Sequence, residues 1–482
     1  MHVAAGAVLL AGCGSASDTA SAGPSSQAPD SSEVVVDGED AGVDFSPGAP
    51  KQLLVISGDE LDTLAVLDPT TRDEQAVPVP TELIGERPGR AIVGPDGKHV
   101  LVSVGDAALL WDRTADTTVV LGYGERTLGA HPAVEPAVVL LRTNTAMLVV
   151  DLVRGEEYDV TEQVAGWPEG VVPRVLGDTA HRMALIAGPG GGAVAIDLES
   201  GVTTRHDDSL LFYATGLAPD GETAVAGRRS EHGFAVEAFD PFDPSTSTVW
   251  YTPADPSAQV TVAWAGDEFV ASDLTGRVFA LTDGEMVDIV RVPPSGDDGF
   301  VTAKLHTDPT TPGVMLVEDG RSDPARWFHL DVASGEIGEL AELEGFQLLP
   351  PAMHGYVVVS HGDFRDGFDA VRLVDLIDGS IVKLRDEEAS PTLGVQMHGH
   401  SVIEVIDRSE SFSSSFYDNS GRLLGEIADA SNLHVDPGSG VAAFAERDRV
   451  VDFGFTTRIV AIDGSSDESI TGLLPLAWLP SL

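Results

Sequence analysis

A short apolar run that ends in an acidic or polar turn, aspartate-led in nine copies of ten, and is followed by a second short run recurs ten times along the chain. Examples are "LAVLDPTTRDEQAVPV", "AVAIDLESGVTTRH", "WFHLDVASGEIGEL" and "VRLVDLIDGSIVKL". Aligned on Asp68, Asp112, Asp151, Asp197, Asp240, Thr282, Asp331, Asp375, Asp418 and Asp463, the copies lie 39 to 49 residues apart. Regular spacing on this scale means that one supersecondary unit is being stacked, because a single unit cannot bury its own apolar faces. Each copy reads as a β-hairpin. β-Branched and polar residues alternate along its arms, the Asp side chain holds the backbone of the turn, and Gly takes the left-handed position in turns such as "DLESG" and "DVASG". Two further apolar runs, joined by turns such as "GPDGK" and "APDGE", precede each hairpin, which makes four strands per repeat. No long helical period interrupts them, so crossover βαβ folds are excluded.

Four strands at a period of about 44 residues resemble a β-propeller blade of the WD40, TolB and YVTN-like kind. The resemblance is architectural: the Gly-His and Trp-Asp signatures of WD40 repeats are not repeated, and the sialidase-type Asp-box is missing. It implies an all-β fold, a single β-propeller of about ten four-stranded antiparallel blades over residues 51–482. The two ends of that region are complementary. The C-terminal "LLPLAWLPSL" reads as an inner strand without its three partners, and "KQLLVISGDELDTLAVLDP" reads as three strands without an inner one. Pairing them would complete one blade and leave no open sheet edge at the seam.

Before the repeats the composition changes. Residues 14–50 are Ser, Ala, Gly, Pro and Asp with almost no aromatic side chain, a mixture that buries too little surface to offset chain entropy. A disordered tether is expected, holding the folded part roughly 30–35 Å from its attachment point. Residues 1–13 contain the only cysteine of the 482 residues, Cys13, after the apolar run "VAAGAVLLAG". A run of that length is too short for a bilayer span and reads as a signal-peptide core. The tetrad Leu10-Ala11-Gly12-Cys13 resembles the lipobox of bacterial lipoproteins, which implies lipidation of Cys13 and anchoring at the outer face of the cytoplasmic membrane. "MHVAAG" lacks the basic residues that open a signal peptide, so the true start is expected upstream.

Charge narrows the partners. The 77 acidic and 28 basic residues leave a net charge of −49, which repels phosphate backbones and anionic membrane surfaces alike. Nucleic-acid binding is therefore excluded as an expectation, and attachment has to come from the lipid. One thiol rules out an internal disulfide and cysteine-based metal clusters. No GxSxG elbow, HExxH, P-loop or GxGxxG motif is present, so no catalytic residues are assigned. The glycine-rich "GPGGGA" at residues 188–193 reads as a hairpin turn with no helix after it to hold a phosphate.

The histidines are the sharper lead. Four successive repeats carry "KLHTDP", "AMHGY", "QMHGH" and "NLHVDP", placing His306, His354, His398 and His434 near the ends of their first strands, with His400 close by and His361 following. By resemblance to propellers, first strands line the central channel, so these imidazoles would form one arc. Two readings stay open: a zinc or copper site, and histidines that only hydrogen-bond turns. His354 with Asp363 could also mimic the acid and histidine pair of a propeller lyase or hydrolase. Loop aromatics Trp250, Tyr251, Phe364 and Phe368 are candidate partner contacts, or inter-blade packing. The expected function is non-enzymatic binding or scaffolding of an extracytoplasmic protein, peptide or glycan by a monomeric, lipid-anchored propeller. The alternative is a zinc-binding chaperone or solute-binding lipoprotein that uses the channel histidines.

Overall fold

The computed structural model describes residues 51–480 apart from short stretches at 59–61, 85–88, 125, 131–136, 168–172, 178–181, 189–191, 207–209, 231–232, 254–259, 266–267, 274, 283–284, 294–302, 309–310, 321, 323, 354, 364–366, 386–391, 399–400, 408–412, 429–430 and 448–454. The signal-peptide, lipobox and tether readings for residues 1–50 lie outside the described residues, as do His354, Phe364 and His400.

Ten four-stranded antiparallel blades form a propeller ring. In blade 1 the strands are Arg90–Val93, His99–Val104, Ala107–Asp112 and Thr117–Tyr123, paired in that order. The first strands of blades 2 to 9 are Arg126–Ala130, Arg174–Gly177, Leu210–Leu217, Thr261–Ala265, Ala303–His306, Gln347–Met353, Thr392–His398 and Ser431–Asp436. Blade 10 takes its first strand, Leu474–Leu479, from one end of the chain and its other three, Gln52–Ser57, Thr63–Leu67 and Glu74–Ala76, from the other. The two segments pair antiparallel, with Leu53 opposite Trp478 and Ile56 opposite Leu474, as their complementary sequences require. First strands of successive blades approach one another around much of the ring, which places them innermost. Blades 7 and 8 are also joined edgewise, because Phe368 of the long strand Gly367–Asp375 pairs with Thr392.

The aspartates on which the repeats align end the third strand of their blades or follow it within two residues. Their carboxylates accept the backbone N–H groups two or three residues on: Asp112 holds Thr114 at 2.8 Å and Ala115 at 2.9 Å, and Asp197 holds Glu199 at 2.8 Å and Ser200 at 3.1 Å. Gly201 ends that turn at a φ of 72° and Gly335 does the same at 70°, a left-handed backbone that side chains resist. Where the repeat has Thr282 instead, the aspartate sits one turn earlier: Asp273 accepts from Thr275 N at 2.8 Å. The turn in "GPDGK" is built the same way, with Lys98 N donating to Asp96 at 2.9 Å.

Because strand side chains alternate, each blade has two apolar faces, and each packs on a different neighbour. Leu54 and Ile56 join Val100, Val102 and Trp111 between blades 10 and 1, whereas Leu53 and Val55 join Ala443 and Ile459 between blades 10 and 9. Every pair of adjacent blades encloses such a cluster. Polar bonds reinforce the seam. Lys51 pairs with the buried Asp436 of blade 9, and the Arg113 guanidinium donates to the carbonyls of Gly97 at 2.6 Å and Pro480 at 2.9 Å.

Candidate functional site

His306 and His398 end their inner strands, His434 lies two residues before the end of its own, and His361 lies in the second strand of blade 7; each finds an acid or a carbonyl. His398 ends Thr392–His398. Across the sheet, Gln396 is opposite Glu404, so His398 and Glu404 are diagonal neighbours on one face. His398 Nε2 donates to Glu404 Oε2 at 2.7 Å, and Ser414 Oγ of the third strand donates to Oε1 at 2.6 Å. Histidine and glutamate are both buried. A carboxylate in that position has to be hydrogen-bonded, and these two donors satisfy both of its oxygens.

Blade 6 repeats the device. Lys304 is opposite Glu318 in register, and His306 lies two residues further along. Lys304 Nζ donates to Glu318 Oε1 at 2.6 Å, while His306 Nε2 meets Oε2 at 3.2 Å. The His306 ring lies over Trp327, with centroids 5.5 Å apart. Burial pushes the Glu318 carboxyl up, but hydrogen bonds from His306 and Lys304, together with their charge, outweigh it and hold Glu318 below the ordinary range.

His434 of blade 9 is different. Burial pushes its ring down to about 4, and the neighbouring His398 pushes the same way, against an opposing hydrogen bond to the Pro475 backbone and the negative charge of Glu404. It is therefore a neutral imidazole at neutral pH. Its backbone carbonyl accepts from Trp478 Nε1 of blade 10 at 3.0 Å. The structure thus brings His398, Glu404 and His434 into one electrostatic unit across two blades, and leaves His306 in a separate one. His361 pairs with Asp369 at 2.8 Å on the half-exposed part of blade 7. Among the described residues, no three His, Cys, Asp or Glu side chains are grouped so as to hold a metal ion.

The aromatic candidates are placed as follows. Trp250 and Tyr251 lie in the outer strand of blade 4, where they pack on Phe269 and Phe279 of blade 5 with centroids 5.7 and 4.7 Å apart. Phe368 corrects the expectation of an exposed contact. It belongs to a strand rather than a loop, is 0% exposed, and fills the cluster between blades 7 and 8.

Charge is partitioned by strand position, which repeat alignment alone does not show. The ten inner strands contain one acidic residue, Asp436, but also Arg90, Arg126, Arg174 and Lys304. Acids concentrate on the perimeter instead, as in Glu156, Glu157 and Asp159 of blade 2 and Asp467 and Glu468 of blade 9.

No protein-family model matches the chain, and no curated protein matches it. Solved structures do resemble it in fold. A eukaryotic initiation factor is 11% identical, with 90% of this chain and 99% of that chain covered and a TM-score of 0.49. Dihydro-heme d1 dehydrogenase NirN is 13% identical, with 73% and 79% covered and a TM-score of 0.41. The WD40 domain of SCAP from fission yeast is 10% identical, with 62% and 86% covered and a TM-score of 0.35. The chain's own topology is a propeller of ten four-stranded blades. A propeller fold by itself leaves catalysis undecided.

Proposed function

We propose that this protein is a lipid-anchored, extracytoplasmic β-propeller that binds or scaffolds a protein, peptide or glycan partner without acting as an enzyme. The observation that carries this reading is the use made of the inner-strand polar groups. His398, Glu404 and Ser414, and likewise His306, Glu318 and Lys304, bond one another across strands of one blade. Such satisfied networks rigidify the inner strands, and rigid scaffolds with variable loops are what partner recognition employs. The anchor rests on Leu10-Ala11-Gly12-Cys13 and the polar stretch 14–50 that follows.

Fractionation of cells expressing the full chain tests the anchor. The protein is expected in the detergent phase with acyl chains on Cys13, and Cys13→Ser is expected in the aqueous phase. An unmodified Cys13, or a variant that still partitions with membranes, overturns the anchor. Binding is tested by in-cell photocrosslinking from positions in the loops that join the blades. A partner captured at one position and competed by excess purified propeller supports the reading, and crosslinks that no excess competes away refute it.

A second reading, a zinc-binding lipoprotein, is favoured by one observation: His398 and His434 lie on the inner strands of adjacent blades 8 and 9, and His398 helps push the His434 ring down. Elemental analysis after zinc loading and dialysis separates the two. Stoichiometric zinc that disappears in a His398→Ala and His434→Ala double variant supports the metal reading, and metal-free protein removes it.

A further inference from the structure

The outermost strand of each blade is a sheet edge, and natural edges are commonly blunted with charge so that no other chain pairs with them. Nine of the ten outer strands follow that rule with at least one charged residue, such as Glu74 in blade 10, Asp243 in blade 4 or Lys383 in blade 7. The outer strand of blade 1, Thr117–Tyr123, is the exception: its sequence TTVVLGY carries none. It also holds three of the nine exposed large apolar side chains among the described residues, Val119 at 50%, Val120 at 41% and Tyr123 at 53%. Such residues scattered singly are ordinary, but a cluster on one edge marks a contact surface.

Thr117–Tyr123 pairs on one side with Ala107–Asp112, and among the described residues no strand pairs with its other side. Blade 2 closes the far end of that side, where Asn144 N donates to the Tyr123 carbonyl at 2.8 Å. The open stretch is therefore Thr117–Leu121. Its surroundings are negative. Asp116 leads into the strand and is exposed, Asp106 is exposed past the other end, and the outer strands of blades 10 and 2 present Glu74 and Glu157 on either side. The neighbouring cations are occupied: Arg72 by Glu468 at 3.5 Å, Arg154 by Asp151 at 2.9 Å, and Arg113 by the Gly97 and Pro480 carbonyls. Arg90 stands on the inner strand of the blade, three strands away.

We infer that this edge takes up an extended peptide segment of a partner protein as a fifth strand of blade 1, a segment of β-forming residues flanked by lysine or arginine. Strand addition satisfies the backbone groups of both chains, and alternate side chains supply the specificity. Apolar residues of the incoming segment cover Val119 and Val120, while its basic ends meet Asp116 and the acids on either side. A second copy of this chain is the poorer occupant, because a net charge of −49 on each copy opposes their approach. The inference rests on the partner reading above and deepens it, giving the partner a peptide chemistry and a place on the ring apart from the loops that join the blades.

Fluorescence anisotropy on the full chain at about 0.15 M salt tests it with a labelled peptide of alternating valine and threonine that carries lysines at both ends. The peptide is expected to bind saturably, with a dissociation constant below about 1 mM. It should bind at least about tenfold more tightly than the same peptide ending in glutamates, or interrupted by proline, which cannot donate to the ladder. Val119→Lys should weaken binding at least about tenfold by placing charge on the edge, while Val119→Thr, and Val287→Lys on the outer strand of blade 5, leave it unchanged. Should Val119→Lys melt lower than the parent, the comparisons among peptides decide alone, since they alter no residue of the protein. No binding at millimolar concentration, equal binding of the three peptides, or unchanged binding by a stable Val119→Lys overturns the inference. Self-association in sedimentation that Val119→Lys abolishes overturns it too and assigns the edge to a second copy. If the edge fails while a partner is still crosslinked competitively from the blade-joining loops, the partner reading stands without it.

Discussion

Truncation of Leu54 tests whether the seam is an interface like any other. Leu54 lies in the strand Gln52–Ser57, the first among the described residues, is 0% exposed, and packs between blades 10 and 1 with Val100, Val102 and Leu476. Leu316 is its counterpart far from the seam, also 0% exposed, between blades 6 and 7 with Val357 and Val359. Leu→Ala removes three carbons, worth about 2.4 kcal/mol at roughly 0.8 kcal/mol per buried methylene, and the unfilled space raises the total to about 3–4 kcal/mol. Because the two sites have equal burial and similar neighbours, the two variants should lower the urea midpoint by similar amounts, monitored by tryptophan fluorescence. Midpoints are the safer readout, since a chain of this size need not unfold in one step. A shift for Leu54→Ala smaller than about a quarter of that for Leu316→Ala would refute the reasoning. It would mean that the seam opens before the body of the ring and contributes little to holding it.

Other tests follow from side-chain environments. Asp331→Ala removes the acceptor of Ser334 N at 2.8 Å and should cost about 1 kcal/mol, visible as a small loss of melting temperature. The Asp331 and Asp463 carboxyls are held below the ordinary range by hydrogen bonds from Ser334 and Ser465. Their contribution is therefore present above the unfolded carboxylate value and is lost as pH falls through the lowered one, so melting temperature should decline on acidification, and less in the Ser334→Ala and Ser465→Ala variants. His434, at about 4, should show no ring titration by NMR between pH 6 and 8. The unfolded chain takes up that proton first as pH drops, so this residue lowers stability between its unfolded value and about pH 4, and a titration near 6.5 would contradict the burial argument. Trp250→Ala should destabilise the ring by about 2–3 kcal/mol through lost packing on Phe269, and unchanged stability would free Trp250 for the partner role.

The repeat was legible because an Asp-led turn leaves a local mark: acid, turn residues and glycine within five positions, as in Asp197 to Gly201. Blade 10 was legible for the same kind of reason, since each end of the chain displays strands without their partners. The carboxylates at the histidines were not. Glu318 and Glu404 appear in sequence as single acids within apolar runs, "VMLVE" and "VIEV", and only the diagonal register of two strands shows that each meets an imidazole. Phe368 was misplaced because "HGDFRDGF" reads as a loop, whereas the third strand of blade 7 begins at Gly367 and runs on far enough to reach blade 8.

Closure of the ring also changes what the ends of the propeller mean. An open stack of blades has one fewer interface than it has blades, and two terminal units that each lack a neighbour. Here Gln52 is paired in register with Leu479, and both faces of blade 10 are packed. No blade is terminal, so none needs the polar cap that ends a solenoid. The order of the blades is a cycle, and the place where the chain enters it is a matter of connectivity alone. Rejoined at residues 52 and 479 and cut within another blade's loop, the same sequence should close the same ring.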